Sequence, residues 1–515
     1  MEGITEEELN STLDVIKDLV NRANLSLVLL QIVPLPQKPK FICQVKIELD
    51  ASEHLSALKL EFSKAQESRV LFLGAAGSGK TTLLSVLSDW GELDDGRGKM
   101  RTRLLHHRHE LLSGSTSSVT HQPLVFLNNS KPLSLTDDSV LLNLERRREV
   151  LNEGQVIQLV DSAGKLRFDR TVFSVLTSST HQPNLALIVI EAPTSSSADS
   201  IEIPQQTIDN FRLLECLGIP VAVLISKIDQ SCTESISNLL EKVSEHLEGK
   251  VLKIYDEMEP AEIDDKIRIP VLLASAVSGD FLPTLAYFLR NQTTTFSKCL
   301  NSLKNPFLYA QESAKSALII EQVANLVDVG PVVYGQVAFG TISTGDLMVL
   351  GPQDHGDPIQ VRIKSIQRLK CPVNSAQSSQ HVSIALQFVN ETGLIRRGMA
   401  LINLKFGSNL TLKPLKRIIA EVEHISGGPK PRFYGIIFVM GQKFPAILHV
   451  QPRSIRRTST SISSIIPVGK ARLVCLVSFV EKRPASVFLF PGAAIVFISS
   501  GRKEKFVGQV IDYFA

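Results

Sequence analysis

The chain has 515 residues, enough for about three domains of ordinary size. Hydrophobic residues make up 43% and charged residues 21%, which excludes a disordered chain and describes an ordinary globular one. The formal net charge of +3 is too small to imply nucleic-acid binding by bulk attraction, so any such role must rest on local patches.

Residues 5–23 carry apolar positions at helical spacing (Leu9, Leu13, Ile16, Val20) behind a Thr5-Glu-Glu-Glu capping pattern. Strand-like runs follow at Ser26–Ile32 and Lys40–Glu48, then a helical stretch near 53–65. This is the pattern of a small α+β appendage over residues 1–66. From residue 67 to 293 short apolar runs alternate with helical ones. The predicted strands are Val70–Leu73, Val156–Val160, Leu185–Ile190, Val221–Ile225 and Pro270–Leu273; the predicted helices lie near 79–89, 168–178, 205–217, 233–247 and 281–290. Strands that are apolar throughout and alternate with helices imply an α/β domain, a mostly parallel sheet covered on both faces. After a polar linker at 293–316 the helical pattern stops. Residues 310–407 and 410–515 are rich in Val, Ile and Phe punctuated by Gly, Pro, Asp and Ser, the texture of two antiparallel β-barrels.

Six cysteines are scattered without a CxxC pair, which suits neither a zinc site nor a disulfide framework and fits a reducing compartment. The acidic start has no secretory pattern. The apolar runs are too short to span a bilayer, so a cytoplasmic protein, a monomer without a membrane partner, is expected. Basic clusters at Arg101–His109, Arg146–Arg148 and Arg453–Arg457 are read first as solvated faces, with a ligand-facing role as the alternative.

Four short motifs carry the chemistry, each at the end of a predicted strand. Gly74-Ala-Ala-Gly-Ser-Gly-Lys-Thr81 matches the phosphate-loop pattern GxxxxGK[ST]. Its glycines let backbone amides curl around phosphate at the head of a helix. Gly74, Gly77, Ser78, Gly79, Lys80, Thr81 and Thr82 are therefore nucleotide-binding candidates, with Lys80 on the β- and γ-phosphates and the Thr81 hydroxyl on Mg²⁺. Asp161-Ser-Ala-Gly164 supplies an acidic residue that can hold Mg²⁺ through water and a glycine whose amide can meet the γ-phosphate. In Ser226-Lys-Ile-Asp229, the carboxylate can accept two hydrogen bonds from the guanine edge while Lys227 lays its stem along the base. Adenine presents no such donor pair. Ser275, Ala276 and Val277 follow the next strand, where amides could touch the guanine oxygen. Each tetrapeptide alone is weak. Their order, each at a strand end, points to GTP and GDP.

These residues resemble the translational GTPases, the class that includes elongation factor Tu. The resemblance is closer to the GTP-binding protein 1 and GTP-binding protein 2 group. It rests on Gly91-Glu-Leu-Asp-Asp-Gly-Arg-Gly98 followed by His107-Arg-His-Glu-Leu-Leu-Ser-Gly-Ser-Thr-Ser-Ser-Val119. The resemblance implies a P-loop G domain followed by two barrels, and a GTP-dependent factor that handles aminoacyl-tRNA or ribosomes. It also implies that Thr116 completes the Mg²⁺ shell in the GTP state, and that the barrels hold a tRNA acceptor end. Lys80, Thr116, Gly164 and Lys165 then stand where the family's catalytic positions lie. Three residues depart from the family pattern: Gly77 replaces an Asp, Lys165 a water-ordering His, and Ser226 an Asn. A lysine ammonium donates and cannot accept, so slow intrinsic hydrolysis is expected. Two readings follow. One is a GTPase timing release of tRNA or a partner; the other is a GTP-held adaptor for ribosomes or RNA-decay machinery that scarcely turns over.

Overall fold

The computed structural model describes residues 26–34, 41–48, 67–105, 107–126, 132–133, 154–165, 168–178, 183–194, 202–247, 251–254, 268–291, 314–353, 357–368, 371–390, 392–405, 414–426, 432–451, 472–479, 487–489, 493–501 and 504–514. The chain divides into two compact units, Met1–Glu61 and Phe62–Ala515. In the first, β1 (Ser26–Pro34) pairs antiparallel with β2 (Phe41–Glu48). The helices expected at 5–23 and 53–65 lie outside the described residues.

The second unit begins with an eight-stranded sheet. Its strands are β3 (Ser68–Leu73), β4 (Thr120–Phe126), β5 (Pro132–Leu133), β6 (Gln155–Asp161), β7 (Leu185–Glu191), β8 (Val221–Ser226), β9 (Val251–Ile254) and β10 (Arg268–Ala274), in the order β5-β4-β6-β3-β7-β8-β10-β9. Six strands run parallel, and β4 and β5 close one edge antiparallel. The helices are α1 (Lys80–Ser88), α2 (Arg108–Ser113), α3 (Asp169–Leu176), α4 (Gln205–Leu217), α5 (Thr233–His246) and α6 (residues 282–291). Alternation along β3 explains the two covers. Val70 and Phe72 face α1 and α6 through Leu83, Leu87, Leu285 and Phe288, while Leu71 and Leu73 face Val172, Phe173, Leu214 and Leu217 of α3 and α4. Each such side chain is worth about 1.5–3 kcal/mol on full burial. The sheet thus holds its strand ends rigid, and the site is built on them.

Strands β11 (Ala314–Leu326), β12 (Gly330–Phe339), β13 (Thr341–Ser343), β14 (Leu347–Gly351), β15 (Ile359–Arg368), β16 (Cys371–Val373), β17 (Ser375–Gln377), β18 (His381–Phe388) and β19 (Ala400–Leu404) make up the first barrel domain, in which β13 and β17 pair with each other as a separate two-stranded sheet. Six of them close in the order β14-β19-β11-β12-β18-β15, because β14 pairs with both β19 and β15. Along β15, Val361, Ile363 and Ile366 point inward, the step from 363 to 366 marking a register shift against β18. The second barrel closes as β20 (Arg417–Ser426), β23 (Arg472–Phe479), β22 (Gln442–Gln451), β21 (Arg432–Val439), β24 (Ala494–Ser499) and β25 (Lys505–Phe514). Closure leaves no unpaired edge in either ring.

Both barrels pack on the α/β domain. Phe438, Val496 and Ile498 of the second share a core with α3 and α4, and the Phe173 and Phe438 rings lie 5.7 Å apart. The first barrel is tied by charge. Arg368 Nε donates to Glu67 Oε1 at 2.8 Å with both side chains 1% exposed, and the Arg69 guanidinium meets the His381 ring. No helix among the described residues is long and apolar enough to cross a membrane.

Candidate functional site

The wholly buried β3 delivers the chain into the loop before α1. Gly77 and Gly79 turn with φ of 89° and 79°, a region glycine enters without strain. Gly79 caps α1 without a side-chain hydrogen bond, so first-turn amides lack an intrahelical partner. Lys80, the first residue of α1, is buried. Its ammonium donates to the carbonyls of Gly74 and Ala75, each at 2.8 Å, and to Ser78 Oγ at 3.4 Å. Burial lowers its pKa to about 8, against the opposing charge of Asp161. A desolvated cation held by carbonyl dipoles gains strongly from an anion. Gly164 presses on the same place: a Cβ there would sit 2.6 Å from Lys80 Nζ and 2.9 Å from Ala75 O. Only glycine permits that approach.

Beside the loop, three oxygen-bearing side chains converge from α1, from the segment before β4 and from the end of β6. Thr81 Oγ1 lies 2.7 Å from Thr116 Oγ1 and donates to Asp161 Oδ2 at 2.6 Å; Thr116 Oγ1 reaches the same oxygen at 3.3 Å. Asp161 is fully buried, and its Oδ1 has no hydrogen-bond partner among the described residues. Burial raises its pKa, while the Thr81 hydroxyl, the Lys80 charge, the Thr116 hydroxyl and the Ser162 amide pull it down. An orphaned carboxylate oxygen beside two hydroxyls is a hard-oxygen set of the kind Mg²⁺ takes. No cluster of three or more His, Cys, Asp or Glu suited to a metal occurs among the described residues, so the set depends on the hydroxyls.

The other end of the cleft forms at β8 and β10. Ser226 Oγ donates to the Ser78 carbonyl at 2.7 Å and to Ile190 O at 3.3 Å, tying the phosphate loop to the sheet. Lys227 takes a left-handed backbone with φ 59°, and its ammonium meets Glu191 Oε1 at 2.7 Å. Asp229 accepts from the Ser275 hydroxyl at 2.7 Å. That hydroxyl in turn accepts from the amides of Val277 and Ser278 at 3.2 and 3.1 Å.

One cleft of about 250 Å³ brings Gly77, Gly79, Lys80, Thr81, Thr82, Thr116, Gly164, Lys165, Ser226, Lys227, Asp229, Ala276 and Val277 together. Gly74, Ser78, Asp161 and Ser275 stand behind that lining and act through the contacts just given. Lys165 is half-exposed, and its ammonium has no hydrogen-bond or ion-pair partner among the described residues.

Two positioning residues escaped the sequence reading. Glu110 of α2 is buried. Its Oε1 accepts from the amide and hydroxyl of Ser117 at 2.7 and 2.6 Å and from those of Ser118 at 3.0 Å each, and its Oε2 from the His107 amide at 3.2 Å. Burial raises its pKa, but the Ser117 hydroxyl and amide, the His107 amide and the Ser118 hydroxyl win and hold it at about 2. The knot fixes the chain on either side of Thr116. Asp94 accepts the amides of Gly96, Gly98 and Met100 and donates its own amide to Ala276 O at 2.9 Å, hooking the loop after α1 to the Ser275–Val277 turn. The available signal was a carboxylate set among Ser, Thr and Gly, where amides need an acceptor.

The family model for the elongation factor Tu GTP binding domain matches residues 66–305. GTP-binding protein 1 of Xenopus laevis is 26% identical over 401 residues, which is 76% of this chain and 57% of that protein. GTP-binding protein 2 of Homo sapiens is 26% identical over 420 residues, 78% of this chain and 64% of that protein. The chain thus spans less than two thirds of either relative's length. Among solved structures, the GTPase-like domain of S. cerevisiae Ski7 bound to GTP superposes with a TM-score of 0.58 at 14% identity, covering 87% of this chain and 97% of that one. Translation elongation factor SelB of Methanococcus maripaludis in complex with the GTP analogue GppNHp gives 0.54 at 17%, covering 87% and 80%. At these identities the likeness is one of fold.

Proposed function

We propose, from the match of residues 66–305 to the family model for the elongation factor Tu GTP binding domain, that the chain is a translation-factor-like GTPase that couples its nucleotide state to the binding of aminoacyl-tRNA or the ribosome. The observation that carries this reading is the convergence of Thr81, Thr116 and Asp161 around an orphaned carboxylate oxygen. Mg²⁺ bound by these three would neutralise charge on the β- and γ-phosphates. Lys80 exchanges its two carbonyl contacts for phosphate oxygens, and the Gly164 amide approaches the γ-phosphate. Asp229, steered by Ser275, accepts from the guanine edge and so rejects adenine. Thr116 belongs to the loop that Glu110 fastens, so presence or loss of the γ-phosphate is felt as order or release of that loop. Ser226 keeps the structural half of the missing asparagine's task by holding the phosphate loop.

Lys165 lines the cleft where the family has a histidine. It donates and cannot accept, so intrinsic hydrolysis is slow and waits on a partner. We assign residues 1–66 to an appendage, 67–293 to the G domain, and 310–407 and 410–515 to barrels that hold the acceptor end of tRNA. The protein acts as a cytosolic monomer.

Gly77 and Lys165 favour a second reading, a GTP-held adaptor for ribosomes or RNA-decay partners. GTP turnover of the purified chain with and without ribosomes separates the two. Slow basal turnover stimulated by ribosomes is expected. Tight GTP binding with no turnover in either condition would favour the adaptor, and no guanine-nucleotide binding would remove both.

A further inference from the structure

The mechanism above leaves two arginines of the cleft unused, the exposed Arg97 and the half-buried Arg101. Arg101 sits in the short helical turn Met100–Arg103, and it lines the same cleft as Lys80, Thr116 and Gly164. Its side chain is half-buried, yet no carboxylate or hydrogen-bond acceptor engages the guanidinium among the described residues. Its neighbour Arg103 behaves in the opposite way, pairing with Asp89 and with Glu92. That contrast separates a surface ion pair from a guanidinium held ready.

The seat is built from backbone. A Cβ on Gly98 would lie 2.7 Å from the Arg101 guanidinium carbon, and one on Gly114 would lie 2.9 Å from its NH2 nitrogen. Both glycines have positive φ, 87° and 58°, so two tight turns make the room that the guanidinium fills. Each turn is anchored to the site. Gly98 donates its amide to Asp94, which hooks to Ala276. Gly114 ends α2 and lies two residues before Thr116, whose hydroxyl meets Thr81. The guanidinium therefore lies between the loop that Asp94 anchors and the turn that leads to Thr116. A planar fork of N–H donors suits phosphate oxygens better than an ammonium does.

We propose that Arg101 is a phosphate-binding arginine supplied in cis, engaging the γ-phosphate and the oxygen that bridges it to the β-phosphate. The inference rests on the GTPase reading above. In hydrolysis the water oxygen bonds to the γ-phosphorus and the bond from that phosphorus to the bridging oxygen breaks. The bridging oxygen leaves with the electron pair on GDP, and the proton from water passes to the released phosphate. Arg101 stabilises the charge that develops on the bridging oxygen, a role independent of Lys165. An arginine of this kind supplies about 10³–10⁵ in rate to other GTPases.

The test compares wild type, Arg101→Ala and Arg101→Lys in the full chain, by calorimetry with GTP and GDP in Mg²⁺ and by single-turnover hydrolysis. For Arg101→Ala, GTP affinity is expected to fall about tenfold or more, as befits one charged hydrogen-bond donor. GDP affinity should change less than threefold, and any measurable hydrolysis should slow by about 10³ or more. Arg101→Lys, which keeps the stem and charge, should recover binding more than rate. Equal changes for GTP and GDP, or GTP affinity within twofold of wild type, would overturn the proposal even if no hydrolysis is measurable. Failure of the wild type to bind GTP is a different result, and it would remove the parent reading first.

Discussion

Glu110 is the residue whose loss should most clearly uncouple the loop carrying Thr116 from the rest of the site. Glu110→Ala removes an acceptor that serves five donors. The two serine hydroxyls can turn to water, but the amides of Ser117 and Ser118 cannot leave the backbone. At about 1 kcal/mol for each stranded, half-buried amide, plus a similar amount for the lost charge, the ordered loop is destabilised by about 2–3 kcal/mol. That corresponds to a shift of roughly 30- to 150-fold in the loop's ordered-to-open ratio. If Thr116 serves the γ-phosphate and its cation as proposed, the penalty should fall on GTP and spare GDP. Calorimetry in Mg²⁺ should show GTP affinity reduced at least tenfold and GDP affinity reduced less than threefold. A folded Glu110→Ala protein that binds GTP within twofold of wild type would refute the claim that this knot positions Thr116.

Three further outcomes follow from charge and burial. Lys80 titrates near pH 8 in the free protein and must be charged on phosphate, so GTP affinity should fall toward tenfold per pH unit as pH rises above about 8, measured at constant ionic strength. Lys80→Ala should abolish measurable nucleotide binding while leaving the denaturation midpoint near that of wild type, because the ammonium contacts two loop carbonyls and no core. His121 is half-buried, and desolvation with the charges of Arg69 and Arg397 lowers its pKa from 6.5 to about 4; His381 is depressed in the same direction. His121 is neutral when folded and protonated when unfolded between those values. Stability should therefore drop as pH falls below about 6.5, by about 2 kcal/mol at pH 5 from His121 alone, and His121→Gln should flatten that acid limb in urea titrations.

The G domain was legible because its parallel strands are apolar on both faces and its motifs stand at strand ends. Val70–Leu73, Leu185–Ile190 and Val221–Ile225 all fall inside observed strands. The barrels were legible as texture, since alternation in runs such as β15 survives a bulge. Strand β4 was not, because it opens with Thr, His, Gln and Pro on a half-exposed edge. Helix α2 is six residues long, too short to show a period. The candidates for phosphate and guanine could be picked from spacing, because backbone geometry brings them to one cleft. What spacing could not disclose was which polar residues support them from behind. Glu110 and Asp94 act on amides contributed by their own loops, and Arg101 was grouped with a solvated basic cluster until the seat at Gly98 and Gly114 separated it from Arg103.

Competition between GTP and ATP for the purified chain, with and without Mg²⁺, tests the central claim most directly. Asp229 is oriented by Ser275 at the end of the cleft opposite Lys80, and the Thr81, Thr116 and Asp161 corner is built for a hard cation. The account predicts that GTP and GDP displace a labelled guanine nucleotide while ATP does not, that removal of Mg²⁺ weakens GTP more than GDP, and that Asp229→Asn transfers preference to xanthosine triphosphate, whose altered edge pairs with an amide. Equal displacement by ATP and GTP, or GTP binding indifferent to Mg²⁺, would contradict it.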